Sequence, residues 1–184
     1  MAPIASDLTS SGDGDVPAIV ALMNAAYRGA DSHAGWTSEA GYMLGDRTNE
    51  RLLRAKLATK PEACFLLYRE ERGADLTGCV WLEPLGNGLW YLGSLAIDPS
   101  RQGDGLGSWL LSAAEAWAGE RGGARIRMTV VNVRDSLIAW YERRGYRLTG
   151  QTRPFPYEDR RFGVPQRDDL CFVFLEKALG LGGA

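Results

Sequence analysis

The feature that most constrains the fold is a glycine-rich turn between an apolar run and an amphipathic segment. Leu89–Ile97 has the apolar and aromatic composition of a strand. Glycines follow at positions 103, 105 and 107, and apolar residues then recur at helical spacing as far as Arg121. Arg125–Val131 is strand-like again. Because strand–helix–strand crossovers are right-handed, the two strands are predicted to lie parallel.

The rest of the pattern predicts a mostly antiparallel sheet flanked by helices. Asn87-Gly88 is a hairpin signal, and it predicts an antiparallel meander. The other predicted elements are strands over Cys64–Arg69, Gly78–Glu83 and Leu170–Glu176 and from Tyr146, and helices after Asp15 and over Ser38–Leu44, Asn49–Ala58 and Ser136–Arg144. We therefore expect one α/β (α+β) domain over residues 1–184, with a loose tail at 178–184.

Composition disfavours several classes of function. Lys and Arg number 21 against 23 Asp and Glu, so the net charge is −2, whereas binders of nucleic acid or anionic membranes are normally basic. No run reaches the roughly 18 apolar residues of a membrane helix, and the start lacks the pattern of a signal peptide. We therefore expect a cytoplasmic protein that binds neither nucleic acid nor membranes.

Cysteine and histidine usage argues against a metal site. The three cysteines, Cys64, Cys79 and Cys171, are widely spaced within apolar runs, and His33 is the one histidine. No spacing typical of metal ligands is present. We expect reduced thiols and no bound metal.

The turn Gln102–Ser108 has the composition of an anion-binding loop. Glycines let successive backbone N–H groups face one anion, and a helix start adds unpaired N–H groups and a positive dipole end. Arg101 would add a charge. The turn is not a P-loop, because it lacks the lysine, and it is not a dinucleotide fingerprint, because Ser108 stands where the third glycine is needed. A purely structural glycine turn remains an alternative.

Two motifs resemble those of the GCN5-related N-acetyltransferase (GNAT) family. Ile97–Pro99 followed by Gln102–Gly107, with the spacing Q-x-x-G-x-G, is similar to the family's acetyl-CoA motif. Ala139–Tyr146 is similar to its second motif, in which an aromatic residue and Tyr precede Gly and Phe or Tyr. The order of elements matches over essentially the whole chain. The resemblance implies the GNAT fold, with acetyl-CoA as the acetyl donor.

The resemblance also implies site residues. Leu95, Ala96 and Ile97 would pair their backbone with the pantetheine arm, as an added strand would. Backbone N–H groups of the turn would hold the pyrophosphate: Gln102, Gly103, Asp104, Gly105, Leu106, Gly107 and Ser108. Tyr141 would be the general acid that protonates the CoA thiolate, whereas helical spacing alone would make it a packing residue.

The general base is not specified by the motifs. Some family members use a carboxylate on the strand before Ile97, and this chain has none there. Glu83, across the hairpin, is the candidate base. Water held by Tyr91 or Ser94, or the loop residue His33, are the alternatives.

The acceptor pocket is expected opposite the acetyl donor. Its aromatic candidates are Tyr27, Trp36, Tyr42, Tyr91 and the Phe155–Phe162 part of the long Gln151–Asp169 loop. Tyr27 and Trp36 are equally compatible with a place in the core. The family often has Asn and a small residue where this chain has Arg134 and Leu137.

The expected reaction is direct attack of a small-molecule or peptide primary amine on acetyl-CoA. Two alternatives remain: a non-catalytic acyl-CoA-binding sensor, and an interaction module in which the glycine turn is only structural. The Gln151–Asp169 loop either covers the acceptor site or packs against a second subunit, so a homodimer is also open.

Overall fold

A seven-stranded sheet forms the centre of the protein, in a computed structural model that describes residues 7–29, 38–71 and 74–180. The strands are β1 (Leu8–Ser10), β2 (Met43–Leu44), β3 (Cys64–Tyr68), β4 (Gly78–Gly86), β5 (Leu89–Ile97), β6 (Arg125–Val131), β7 (Arg147–Pro154), β8 (Val164–Pro165) and β9 (Cys171–Ala178). The helices are α1 (Val16–Arg28), α2 (Glu50–Thr59), α3 (Leu106–Gly119) and α4 (Asp135–Glu142).

The strand order is β1-β3-β4-β5-β6-β9-β7, and β2 pairs with β8 in a separate ribbon. Only β5 and β6 are parallel among these pairs, which confirms the predicted mixed, mostly antiparallel sheet and its crossover through α3. Asn87 and Gly88 both have positive φ, 50° and 69°, as a tight hairpin turn requires.

Helices cover both faces of the sheet because successive strand residues point to opposite sides. In β4, Val80 and Leu82 pack in the cluster that contains α3 and α4. The alternating Cys79 and Trp81 pack in the cluster that contains α1 and α2. Each face of the sheet therefore has its own hydrophobic core. A site can contact both cores only where neighbouring strands separate.

Three segments differ from the sequence-based expectation. Ser38–Leu44 is a turn followed by β2, because Met43 and Leu44 pair with β8. The long loop begins at residue 155, because its first residues pair with β9 as part of β7. The tail begins later than Ala178, because Leu179 N–H donates to the Ala124 carbonyl at 2.8 Å; residues 181–184 lie outside the described part.

The three cysteines are free thiols, and burial raises the pKa of Cys79 to about 12. Within the described ranges, none of the helices has both the length and the apolar content to cross a membrane. The same ranges contain no group of three or more His, Cys, Asp or Glu side chains arranged as metal ligands.

Candidate active site

The sheet opens between its two parallel strands. Residues 89–91 of β5 pair with residues 125–127 of β6, and the pairing ends there although both strands continue. One extra residue of β5 is accommodated in a bulge opposite β4, where Ser94 has a φ of 49°. Beyond Tyr91, backbone groups of β5 on the β6 side have no strand partner in the described chain. The gap is therefore a place where an extended ligand can add to β5.

Tyr91 and Gly93 shape one end of this gap. The Tyr91 ring lies over Gly93 so closely that a Cβ there would stand 2.8 Å from the ring. The Tyr91 hydroxyl and Thr129 Oγ1 are hydrogen-bonded at 2.9 Å across the gap. Because Gly93 has no side chain, the Tyr91 ring can lie over it and its hydroxyl can hydrogen-bond to Thr129 on β6.

The glycine turn presents backbone N–H groups at the start of α3. Gly103 and Gly105 have φ values of 96° and 80°, a conformation that side chains other than glycine rarely adopt. Leu106, Gly107 and Ser108 form the first turn of α3, whose N–H groups have no intrahelical acceptors. The turn is exposed from Gly103 to Gly105. Its backbone therefore has the geometry of an anion-binding loop.

Charged side chains around the turn are already engaged with one another. Arg101 forms ion pairs with Glu70 and Asp104, so these two carboxylates already offset the positive charge that it was expected to add at the turn. Arg144 lies nearer the helix start: its Nε donates to Ser108 Oγ at 3.0 Å, and its guanidinium lies 3.6 Å from the Trp140 ring centroid. Arg144 is the cation that sequence reasoning missed here.

Tyr141 lies on α4 beside the gap, in the same core cluster as α3. Its side chain is only 6% exposed and makes edge-on contacts with Trp140 and Tyr146. Its hydroxyl has no hydrogen-bond partner among the residues that the structure describes. Burial raises its pKa above the ordinary value, against an opposing effect of Arg134. The hydroxyl is therefore a protonated donor at neutral pH.

A cavity of about 850 Å³ occupies the opening and brings several predicted residues together. Tyr141, Met128 and Leu92 line it from the face covered by α3 and α4, and Tyr91 and Glu83 line it from the other face. Tyr27 and Leu95 also line it. The cavity thus reaches both sides of the sheet. Residues 102–108 are not among its walls.

Glu83 faces this cavity but is not isolated. Its carboxylate accepts a hydrogen bond from Trp81 Nε1 at 3.2 Å and forms an ion pair with Lys60. The side chain is 15% exposed. Its register partner on β5 is Tyr91, which places the carboxylate on the α2 side of the opening.

Tyr27 is held in place by the strand that it faces. Its side chain is buried, and its hydroxyl donates to the Leu95 carbonyl at 2.9 Å. It belongs to the α1 core cluster and also forms part of the cavity wall. The predicted residues Trp36 and His33 lie outside the described residues.

Aromatic residues after β7 close the cavity on a third side. Phe155 is buried and stacks on Phe172, with 5.3 Å between ring centroids, in a cluster with Tyr42. Phe155 and Pro156 both line the cavity, as does Tyr42. Burial raises the pKa of Tyr42 to about 12. The long loop thus contributes to the cavity wall.

Basic residues of the cavity were not identified from sequence. Lys56 lies 3.8 Å above the Trp81 ring, and its pKa is lowered to about 8, mainly by burial and then by Arg47. Arg134, only 9% exposed, lines the cavity together with Leu137. These last two are the positions that depart from the family pattern. In the sequence, this departure from the family pattern was the one indication that positions 134 and 137 belong to the cavity wall.

Comparison with known proteins agrees with this architecture. The sequence profile of the acetyltransferase (GNAT) family matches residues 22–146, which include the glycine turn and Tyr141. No curated protein sequence matches the chain significantly.

Three solved structures illustrate the shared fold. The ribosomal-protein-S18-alanine N-acetyltransferase from Escherichia coli has a TM-score of 0.65 at 16% identity, over 96% of this chain and 95% of that one. The phosphinothricin acetyltransferase from Sinorhizobium meliloti, in complex with AcCoA, has a TM-score of 0.66 at 18% identity, over 95% and 89%. The IAA acetyltransferase from Bacillus cereus has a TM-score of 0.62 at 16% identity, over 94% and 98%.

Proposed function

Because the chain belongs to the acetyltransferase (GNAT) family, we propose that it is an N-acetyltransferase that moves the acetyl group of acetyl-CoA to a primary amine. The observation that carries this proposal is the gap between β5 and β6, with Tyr141 at its side and a cavity open to both faces of the sheet. A binding module would need the glycine turn, but it would not need a proton donor beside the gap.

Acetyl-CoA supplies a thioester carbonyl carbon for attack by the amine nitrogen. The turn from Gln102 to Ser108 would hold its pyrophosphate, and Leu95–Ile97 would pair with the pantetheine arm. The unpaired edge of β5 supports this placement. The acceptor would then approach from the α1 and α2 side, where Tyr27, Tyr91 and Glu83 line the cavity.

In the reaction the C–N bond forms, the C–S bond breaks, and sulfur leaves with the electron pair. Tyr141 would donate a hydrogen bond to this sulfur. An ordinary thiol has a pKa of about 8.5, and burial raises the pKa of Tyr141 above its usual value. Complete proton transfer from Tyr141 is therefore uphill. We infer that its main effect is to stabilise the developing thiolate through the hydrogen bond.

The amine must also lose a proton, since an alkylamine has a pKa of about 10.4 and is mostly charged at neutral pH. Glu83 would take this proton, directly or through a water. Lys60 and the Trp81 indole N–H orient its carboxylate towards the cavity.

Purified protein with acetyl-CoA and a panel of primary amines tests the function. The expected result is amine-dependent release of free thiol, matched by acetylated amine in the mass spectrum. Thermal stabilisation by acetyl-CoA without thiol release for any amine would instead indicate a non-catalytic acyl-CoA sensor. No stabilisation would indicate that the turn is structural.

A further inference from the structure

Lysine is rare in this chain, and its three lysines differ in what holds their amines. They are Lys56, Lys60 and Lys177. Lys60 pairs with Glu83, and Lys177 pairs with Glu115, with 2.6 Å between Nζ and Oε2. Among the residues that the structure describes, the Nζ of Lys56 has neither an ion pair nor a hydrogen bond. Lys56 is thus the lysine whose nitrogen no described carboxylate engages, and it lines the cavity of the candidate active site.

An aromatic ring holds the Lys56 amine beside the gap between β5 and β6. Its Nζ lies 3.8 Å from the centroid of the Trp81 ring. Trp81 on β4 is the register partner of Gly93 on β5, just beyond the point where β5 stops pairing with β6. Neighbouring strands are about 4.8 Å apart, and the four-carbon stem of a lysine is flexible. A movement of the amine by one strand spacing would therefore bring it over β5, the strand proposed to pair with the pantetheine arm.

The cavity connects Lys56 with the groups proposed to take part in the reaction. Lys56, Glu83, Tyr91 and Tyr141 all line the same space of about 850 Å³. Lys56 belongs to α2, on the side from which the acceptor is proposed to approach. An amine fixed to the wall of a site acts at a much higher effective concentration than a dissolved amine. Lys56 is thus placed as an internal acceptor.

The protonation of Lys56 also favours attack on a thioester. Its pKa is lowered to about 8, mainly by burial and then by Arg47, against an opposing effect of Glu83. At pH 7 roughly a tenth of such an amine is neutral, compared with less than about a thousandth for a lysine with the ordinary pKa of about 10.4. Only the neutral amine has a lone pair that can attack a carbonyl carbon.

We propose that Lys56 is a self-acetylation site, to which the protein transfers the acetyl group of bound acetyl-CoA when no acceptor amine is present. This inference rests on the proposed function, because it uses the same bound acetyl-CoA. The neutral Nζ forms a bond to the carbonyl carbon, the C–S bond breaks, and sulfur leaves with the electron pair. The nitrogen releases one proton to Glu83 or to water, and the thiolate takes up one proton from the solvent.

The test incubates the purified protein with acetyl-CoA that carries deuterium in the acetyl group, without any added amine. Peptide mass spectrometry then follows labelling at each of the three lysines over time. Lys56 is expected to be labelled at least about 10-fold faster than Lys60 and Lys177, because more of it is neutral and it lies beside the bound donor. An excess of CoA should suppress the labelling of Lys56, because CoA competes for the acetyl-CoA site.

Lys56→Arg should remove the fast labelling and leave only a slow background at the other two lysines. Lys177→Arg is the matched control, because Lys177 pairs with Glu115 and does not line the cavity. In that variant Lys56 should be labelled at the wild-type rate. If Lys56→Arg fails to fold, the labelling of each lysine in the wild type and its suppression by CoA still decide.

Equal labelling of the three lysines in the folded protein would overturn the inference, as would labelling of Lys56 that excess CoA does not slow, because either result indicates chemical acetylation from solution. Acetylation of added amines with Lys56 unlabelled would overturn the inference and support the proposed function. CoA-sensitive labelling of Lys56 without acetylation of any amine in the panel would support the inference and count against the proposed function.

Discussion

Gly105→Val is expected to abolish acetyl-CoA binding while the protein stays folded. Gly105 has a φ of 80°, and a Cβ built there meets nothing within 4 Å. The cost of the substitution is therefore backbone strain and not a clash. Left-handed backbone costs a non-glycine residue about 1–2 kcal/mol. Rotating φ to relieve this strain would turn the neighbouring N–H groups away from a shared anion.

These energies convert into measurable melting shifts. For a chain of this size, 1 kcal/mol corresponds to about 2–4 °C in Tm, so Gly105→Val should melt about 2–8 °C below wild type. Acetyl-CoA at 100 times its Kd stabilises the wild type by about 2.7 kcal/mol, a rise of about 5–10 °C. The variant should show no rise at that concentration.

Gly119→Val is the matched control. Gly119 is the last residue of α3, it has open space around its Cβ position, and its φ is not positive. Its stability should change by about 0.5 kcal/mol or less, and its response to acetyl-CoA should equal that of wild type. If folded Gly105→Val shows the wild-type acetyl-CoA rise and the same Kd by calorimetry, the assignment of the turn as the pyrophosphate site is wrong.

Three further predictions concern the cavity. Tyr141→Phe should lower kcat about 100- to 1,000-fold with little change in acetyl-CoA Kd, because it removes one hydrogen-bond donor to the developing thiolate; unchanged kcat with an acceptor for which chemistry limits the rate would make Tyr141 a packing residue. Glu83→Gln should lower kcat/KM about 100- to 10,000-fold, whereas Lys60→Gln, which removes only one contact of the Glu83 carboxylate, should lower it less; a Glu83→Gln variant with the kcat/KM of wild type would exclude Glu83 as the base. The Lys56 pKa is lowered to about 8, mainly by burial, so the unfolded state binds this proton more tightly above that pH. The free energy of unfolding of wild type should therefore rise relative to Lys56→Met as pH increases from 8 towards 10.5, and denaturant titrations showing a constant difference would contradict this.

The main elements could be predicted because their signals are local. The sequence pattern placed β5 at Leu89–Ile97 and β6 at Arg125–Val131, and the structure has the same bounds. Their parallel pairing followed from the handedness of crossovers. The turn between Ile97 and α3 was recognisable because its chemistry depends on backbone geometry, which glycine spacing encodes directly.

Short segments were harder to predict, because their secondary structure depends on pairing partners far away in the chain. Met43 and Leu44 continue a helical pattern in sequence, yet they pair with residues 164–165 more than a hundred positions later. Gln151 was placed in a loop, yet it falls within β7, which lies beside β9. The β-propensity of a short segment contains no information about such distant partners.

The sequence by itself determined the family, the order of elements and the backbone of the glycine turn, since each depends on residues close together along the chain. Only the tertiary structure decided which side chains line the cavity. Lys56 on α2, Arg134 before α4 and Phe155 after β7 meet in one cavity because the sheet opens where β5 and β6 stop pairing. The charges of Lys56 and Arg47 act on one another through space, and spacing along the chain does not encode that distance.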